Sequence, residues 1–185
     1  MSGIRILNVE PEGYSPEARE ILNVLGEVIE TPLDRAGLLG EVGGYDILIT
    51  RLGHRIDTEV LTAGDGLTAV VSATTELDHI DLEAAAERGV EVLSLQGETE
   101  FLEGVTSTAE HAWGLLLALV RRIPSAFGSV KEGGWNRDAF RGNELRGKRL
   151  GILGLGRLGR MVAEYGRAFG MTVTAYDPFA SDWPK

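Results

Sequence analysis

Short β-rich runs alternate with helix-like segments along the first half of the chain, a pattern typical of a parallel sheet covered by helices. Ser15 followed by Pro16 is a helix-start signal, and Gly26 ends the helix predicted after it. Strand, helix, glycine and strand in this order predict a doubly wound α/β domain. The predicted strands are Ile4–Val9, Val28–Glu30, Asp46–Thr50, Thr68–Ser72 and Val90–Leu95.

The last helix of this half has clear signals at both ends. Asp81 precedes the predicted helix Leu82–Arg88 as an N-cap residue, because its carboxylate can accept the backbone N–H groups of the first turn. Gly89 follows in the position of a left-handed C-terminal cap. The fifth strand begins directly after it, so helix and strand form a close αβ link.

The pattern changes after the fifth strand. Residues 96–105 are polar and acidic without a sustained period, and we place a domain boundary there, with domains at 1–98 and 99–185. A helix is predicted over Thr106–Val130. Its centre, Ala112–Val120, is apolar on nearly every side, so we expect burial on several sides, as for a helix between two domains.

Composition and charge exclude several classes of function. The chain has 185 residues, with 18 Lys and Arg against 28 Asp and Glu, and this net charge of −10 disfavours nucleic acid and anionic membranes as partners. There is no cysteine, which excludes disulfides, thiolate metal sites and a cysteine nucleophile. The longest apolar tract, Leu115–Val120, is far shorter than the ~20 residues of a membrane span. We therefore expect a cytoplasmic protein.

The clearest chemical signal is G-x-G-x-x-G within the stretch 149–160, RLGILGLGRLGR, where a short strand leads into a helix. Gly154 permits a tight turn, Gly156 lets the backbone approach a pyrophosphate, and Gly159 allows close helix–strand packing. The N-terminus of the following helix attracts the phosphates. The sequence therefore predicts a dinucleotide site that includes Arg157 and Leu158, with the Arg157 side chain either at the pyrophosphate or in solvent.

The residues after this motif complete a βαβ unit. A helix over Leu158–Phe169 is closed by Gly170, and a strand over Thr172–Ala175 follows. Asp177 stands 18 positions after the third glycine, close to the ~20 at which a carboxylate meets the ribose hydroxyls of a dinucleotide. A carboxylate repels a 2′-phosphate, so Asp177 favours NAD over NADP. The alternative is that Asp177 simply starts a turn.

With these motifs in place, the chain resembles the D-isomer-specific 2-hydroxyacid dehydrogenase family, which includes D-3-phosphoglycerate and D-lactate dehydrogenases. The matching stretches occur in the family's order and spacing and cover most of the chain from about residue 46 onward. They are LDHIDLEAAAERGVEV (77–92), TAEHAWGLLLALVRRIP (108–124), GGWNR (133–137), ELRGKRLGILGLGRLGR (144–160) and AFGMTVTAYDP (168–178).

The resemblance implies a flavodoxin-like parallel-sheet domain followed by the first part of a Rossmann NAD-binding domain, with a cleft between them. It implies hydride transfer between NAD and a 2-hydroxy or 2-keto acid, and a homodimer in the complete protein. In relatives, backbone N–H groups of the loop after the fourth strand bind the substrate carboxylate. Here that loop provides Thr74, Thr75 and Glu76 as candidate substrate-binding residues. We expect the Glu76 carboxylate to point away from an acidic substrate.

The resemblance assigns no catalytic residue within this chain. The family's substrate-binding arginine, its acid-orienting glutamate and its catalytic histidine are expected downstream of Lys185, so the chain alone is predicted to be inactive. His79 is interpreted as a loop or capping residue and His111 as a buried or interdomain structural residue. His54 is interpreted as part of a solvated loop beside Arg51. The three histidines have no metal-ligand spacing, and no metal site is predicted.

Two functions remain after this reasoning. The first is the N-terminal portion of an NAD-dependent 2-hydroxyacid dehydrogenase. The second is a non-catalytic NAD-binding or partner-binding module of the same fold, either similar to the co-repressors that share it or a truncated pseudoenzyme. The DNA downstream of Lys185 distinguishes them, because an enzyme requires arginine, glutamate and histidine at the family positions there.

Overall fold

The computed structural model describes residues 3–180, which form two compact units that divide between Thr99 and Glu100. Each unit is built around its own parallel sheet. Among the described residues, no helix is long and apolar enough to cross a membrane.

The first unit is a five-stranded parallel sheet in the order β2-β1-β3-β4-β5. This order places the topological switch point, where a ligand binds in doubly wound folds, between β1 and β3. All five predicted strands are confirmed, with ends that differ by one or two residues, and the flavodoxin-like strand order is present. The strands are β1 Ile4–Asn8, β2 Gly26–Glu30, β3 Ile47–Thr50, β4 Ala69–Ser72 and β5 Glu91–Ser94.

Four helices cover this sheet, and each begins at a side chain that accepts backbone N–H groups of the first turn. They are α1 Pro16–Leu25, α2 Arg35–Glu41, α3 Thr58–Ala63 and α4 Leu82–Glu87, capped by Ser15, Asp34, Asp57 and Asp81. The predicted helices α1 and α4 are confirmed, and Gly89 has the left-handed φ of +68° expected after α4. The short helices α2 and α3 were not predicted.

The core of the first unit is apolar except at one edge of the sheet. Leu7, Leu48 and Val70 lie on adjacent central strands and are fully buried. The buried polar side chains described are Asn8, Thr50 and Ser72, which are the last residues of β1, β3 and β4. Among the described residues, polar side chains therefore enter this core only at the carboxyl ends of β1, β3 and β4.

The second unit contains a parallel pair of strands and four helices. Trp113 of α6 packs edge-on against Tyr165 and Phe169, with ring centroids 5.9 and 5.1 Å apart. These contacts pack α6 against α8, and α8 packs against β6 and β7. The elements are α5 Thr99–Glu103, α6 Ser107–Val120, α7 Ile123–Lys131, β6 Arg149–Leu153, α8 Arg157–Ala168 and β7 Thr172–Tyr176.

The single long helix predicted over Thr106–Val130 is wrong, because the chain forms α6 and α7 with a break between them. Arg122 at the break has a left-handed φ of +55°. Pro124 is the physical cause, since it has no N–H to donate and its ring clashes with the carbonyl four residues earlier in a continuous helix. Proline is tolerated in the first turn of α7, where that N–H needs no partner.

Two further expectations for this region are wrong. The apolar stretch Ala112–Val120 is not buried on several sides, because Leu115 and Leu119 are 59% and 76% exposed and the buried residues of α6 are Ala109 and Trp113. The polar segment 96–105 also contains regular secondary structure. It contains α5, a helix of five residues, too short to show a hydrophobic period in the sequence.

Candidate functional site

The glycine-rich turn after β6 has the backbone geometry that its sequence predicts. Gly154 has a φ of +89°, and its N–H donates to the Tyr176 carbonyl at 2.9 Å. A Cβ on Gly159 would overlap the Gly154 carbonyl oxygen, so α8 approaches the turn more closely than a side chain would allow. A Cβ on Gly156 would meet no atom within 4 Å, which leaves the backbone there open to a ligand.

The same turn opens into the N-terminus of α8. Gly156 is the N-cap residue, it supplies no side-chain acceptor, and the first turn, which includes Leu158, contains no acidic residue. Unpaired N–H groups and the positive end of the helix dipole attract an anion at such a position. This end of α8 can therefore hold a phosphate.

Asp177 lies against the turn. Its Oδ2 accepts the Leu155 N–H at 2.7 Å and its Oδ1 accepts the Phe179 N–H at 2.8 Å. The N–H groups of Phe179 and Leu155 lower the pKa of this carboxyl, so it is ionised at neutral pH. Asp177 thus starts a local turn and also lies at the glycine-rich turn, while its contact with a ribose remains a prediction.

Arg157 makes contacts that its sequence position does not suggest. Its Nη1 donates to the carbonyl oxygens of Leu102 at 3.0 Å and Val105 at 2.6 Å, in the segment that joins α5 to α6. The side chain is half-buried. The interpretation of Arg157 as a solvated side chain is therefore wrong, and a contact between its guanidinium and pyrophosphate remains a prediction.

The loop after β4 holds the candidate substrate-binding residues of the first unit. Thr74 and Thr75 are half-buried and Glu76 is exposed. The Thr74 hydroxyl donates to the Glu76 carbonyl at 2.8 Å. Among residues 3–180, the backbone N–H groups of Thr74, Thr75 and Glu76 donate no hydrogen bond. Unpaired N–H groups in one short loop are suited to binding a carboxylate.

The structure confirms part of the sequence interpretation of the histidines, since His79 lies in the loop before α4. His79 does not cap α4, since Asp81 does so, and its ring is 10% exposed with Nε2 at 3.2 Å from Ser72 Oγ. His111 is exposed rather than buried, because its face of α6 has no cover among the described residues. His54 is half-buried and lines a cavity with Arg51.

This cavity, of about 600 Å³, lies at the switch point between β1 and β3, and sequence reasoning missed its main acidic residue. The Glu10 carboxylate accepts hydrogen bonds from the Thr50 hydroxyl at 2.8 Å, the Arg51 N–H at 2.6 Å and the Gly53 N–H at 3.0 Å. A polar residue just after a buried central strand was the available signal. Glu10 thereby fixes the turn that carries Arg51 and His54.

The pKa of Glu10 reflects these contacts. Burial raises it, but the Arg51 N–H, the Thr50 hydroxyl and the Gly53 N–H outweigh burial and lower it below the ordinary value of 4.5. The positive charge that His54 can carry acts in the same direction. The carboxylate is therefore ionised throughout the neutral range.

Comparison with known proteins identifies relatives for both units. Residues 113–184 match the family model of the D-isomer specific 2-hydroxyacid dehydrogenase, NAD binding domain. The chain is 41% identical over 180 residues to D-3-phosphoglycerate dehydrogenase of Archaeoglobus fulgidus, and 38% identical over 172 residues to that of Homo sapiens. These alignments cover 96% and 92% of the chain.

Solved structures agree with the sequence relatives. The TT0316 protein of Thermus thermophilus superposes with a TM-score of 0.87 at 32% identity, over 98% of this chain and 58% of that one. D-Lactate dehydrogenase of Aquifex aeolicus, complexed with NAD and lactic acid, superposes with a TM-score of 0.79 at 26% identity, over 96% and 52%. The chain spans about a third of the length of its curated relatives. Residues 113–184 are thus similar to the NAD-binding domain of the D-isomer-specific 2-hydroxyacid dehydrogenases, and nearly the whole chain is similar to D-3-phosphoglycerate dehydrogenases.

Proposed function

We propose that this chain forms the NAD-binding turn and the substrate-receiving loop of an oxidoreductase that interconverts 2-hydroxy and 2-keto acids by hydride transfer. The observation that carries the proposal is the open backbone at Gly156, at the N-terminus of α8, with the ionised Asp177 carboxylate beside it. Together these groups supply a place for a phosphate and an acceptor for a hydroxyl.

NAD fits the residues of this turn. The backbone from Gly154 to Gly159, including Leu158, would face the pyrophosphate, and Asp177 would accept hydrogen bonds from the adenosine ribose. Arg157 would add positive charge near the phosphates. When bound, the nicotinamide ring supplies the hydride acceptor or donor, and the protein's part is to bind and orient it.

The loop after β4 would bind the substrate carboxylate. The N–H groups of Thr74, Thr75 and Glu76 donate to no group among the described residues and are available to it. Glu76 is exposed, so its own carboxylate has room to turn toward solvent. The names of the relatives, phosphoglycerate and lactate dehydrogenases, indicate a small 2-hydroxy acid.

Catalysis by the complete protein requires groups beyond those found here. Hydride transfer needs a proton acceptor for the substrate hydroxyl and a cation for its carboxylate. We assign neither role to a residue of this chain and propose that other residues of the complete protein supply both in a cytoplasmic, homodimeric enzyme. The 185-residue chain by itself is then inactive.

A second candidate function is a non-catalytic module that binds NAD and a protein partner. The observation that favours it is the apolar surface of the second unit, where Leu119 is 76%, Phe127 65% and Trp135 92% exposed. An exposed apolar surface of this kind is typical of protein interfaces. The same surface also serves the homodimer of the first proposal, so it does not exclude catalysis.

The substitution Gly156→Val tests the dinucleotide site. Because a Cβ there meets nothing within 4 Å and φ is −71°, valine leaves the fold intact while filling the space that a pyrophosphate needs. Titration with NAD, followed by amide chemical shifts of α8, should show at least tenfold weaker binding for the variant. The control is Gly151→Ala in β6, where added atoms also meet nothing. Equal NAD affinity in Gly156→Val and the unmodified chain contradicts the proposed site.

A further inference from the structure

Four polar groups form a continuous row behind the substrate loop. His79 Nε2 lies 3.2 Å from Ser72 Oγ, which lies 2.9 Å from Thr74 Oγ1, which lies 2.8 Å from the Glu76 carbonyl oxygen. Ser72 is 1% exposed and the His79 side chain 10%. Water therefore has little access to the inner half of this row.

The number of available hydrogens fixes the direction of every bond in the row. A carbonyl oxygen can only accept, so the Thr74 hydroxyl gives its one hydrogen to Glu76. The 2.9 Å contact between the two hydroxyls then takes the hydrogen of Ser72, in preference to the Arg51 carbonyl, which lies farther from Ser72 Oγ, at 3.5 Å. The remaining contact, between Ser72 Oγ and the imidazole, needs a hydrogen on His79 Nε2.

The other ring nitrogen supports the same assignment. His79 Nδ1 is buried and has no hydrogen-bond partner among residues 3–180, and the nearest carboxylate oxygen, Asp78 Oδ1, is 3.9 Å away. That separation exceeds hydrogen-bond distance. A hydrogen on Nδ1 would be a buried donor without an acceptor, which costs more than an unpaired lone pair on a nitrogen.

From this geometry we infer that His79, as the neutral tautomer with hydrogen on Nε2, is a positioning residue that sets the substrate loop through Ser72 and Thr74. This inference rests on the proposed function for the loop's role in binding a carboxylate. It gives His79 a role in substrate affinity without contact with substrate or cofactor.

The row acts on one peptide unit of the loop. The Glu76 carbonyl and the Leu77 N–H belong to the same planar trans peptide and point in opposite directions. Since the row holds that carbonyl toward Thr74, it also directs the Leu77 N–H away from Thr74. Loss of His79 or Ser72 frees this peptide to rotate, and a rotating N–H binds a carboxylate more weakly.

The first test measures the tautomer directly. In the 185-residue chain labelled with ¹⁵N-histidine, the His79 ring should show a protonated Nε2 and an unprotonated Nδ1 at neutral pH, with the signals assigned by their loss in His79→Gln. Ser72→Ala should change the ring to a mixture of tautomers, because it removes the acceptor. Asp78→Asn is the matched control and should leave the ring unchanged, since Asp78 is adjacent but 88% exposed and not bonded to it. A ring protonated on Nδ1 overturns the inference.

The second test measures the loop. Two amides donate to this loop, Leu95 to the Thr74 carbonyl at 3.0 Å and Ile80 to the Leu77 carbonyl at 2.9 Å. Their hydrogen exchange should become roughly fivefold faster in His79→Ala and in Ser72→Ala, as expected when the loop loses one supporting hydrogen bond. His79→Gln should restore the unmodified rate, because a glutamine amide can donate at the same place. Exchange in the β1 strand shows whether each variant is folded. Unchanged loop exchange in a folded His79→Ala variant overturns the inference.

Pyruvate titration separates this inference from the proposed function. If the loop binds carboxylates, pyruvate shifts its amide signals, and the affinity falls roughly fivefold in His79→Ala and recovers in His79→Gln. If pyruvate shifts no loop signal in the unmodified chain, the proposed binding role of the loop is wrong, while the tautomer and the exchange rates still decide whether His79 positions the loop.

Discussion

Replacing Glu10 with glutamine tests how much the turn at the switch point contributes to stability. Glutamine keeps one oxygen, which can accept from Thr50 and Arg51 as Oε2 does now, but its NH₂ group faces the Gly53 N–H. The hydrogen bonds from Thr50 and Arg51 then have a neutral acceptor in place of a charged one, and the bond from Gly53 becomes a contact between two N–H donors. At about 1 kcal/mol for each of the three changes, the sum is about 3 kcal/mol, and water access to the half-buried carboxylate reduces it to about 2 kcal/mol.

Urea unfolding followed by far-UV circular dichroism measures this loss of stability. Hydrogen exchange of buried amides in β3 shows whether the loss occurs in the first unit. Tryptophan fluorescence is not suitable for the first unit, because all three tryptophans lie beyond residue 99 and their fluorescence reports on the second unit. Glu12→Gln is the matched control, since Glu12 is exposed and carries the same charge on the same segment.

The pH dependence of the loss follows from the lowered pKa of Glu10. A carboxyl whose folded pKa is below its unfolded value stabilises the fold above the unfolded pKa, and this contribution disappears as the pH falls through the folded pKa. The difference between the unmodified chain and Glu10→Gln should therefore be constant from pH 7 to about pH 5.5 and shrink below about 4.5. Equal stabilities of Glu10→Gln and Glu12→Gln, or a difference independent of pH, would refute this account.

Two other substitutions and one assay test the second unit and the proposed reaction. Gly159→Ala places a methyl group on the Gly154 carbonyl and should destabilise the second unit by about 2 kcal/mol in urea unfolding followed by tryptophan fluorescence, whereas Gly151→Ala should not. Asp177→Asn should narrow the preference for NAD over NADP measured by titration calorimetry, and an unmodified chain that binds both equally contradicts the role given to Asp177. The purified chain should form no NADH with a panel of 2-hydroxy acids, and turnover would show that catalytic groups lie within it.

The strands and the dinucleotide turn were predictable because each depends on local sequence. Four of the five β-rich runs are followed within three residues by proline or glycine, and the glycines of the turn have roles that follow from backbone geometry alone. The offset of Asp177 from Gly159 placed its carboxylate near the turn, where it binds the Leu155 N–H.

The remaining features depend on contacts that a linear pattern does not contain. The helical period of apolar residues continues through Pro124 and so suggests one helix, although proline interrupts a continuous helix. Helices α2 and α3 have aspartate N-caps but only seven and six residues, too few to show a period. The bonds of Glu10 to the turn after β3 cross about 40 residues, and the His79–Ser72 contact depends on how the loop folds back on itself.

The polar ends of β1, β3 and β4 separate the apolar core of the first unit from the loops that follow these strands. Asn8, Thr50 and Ser72 each form a hydrogen bond to the loop that follows their strand or to a neighbouring loop, while the residues before them pack the apolar core. A change of specificity can therefore begin one residue after each strand without repacking the interior. Over evolutionary time, such an arrangement lets one scaffold acquire new ligands by exchanging short loops, provided that the terminal amide or hydroxyl is retained.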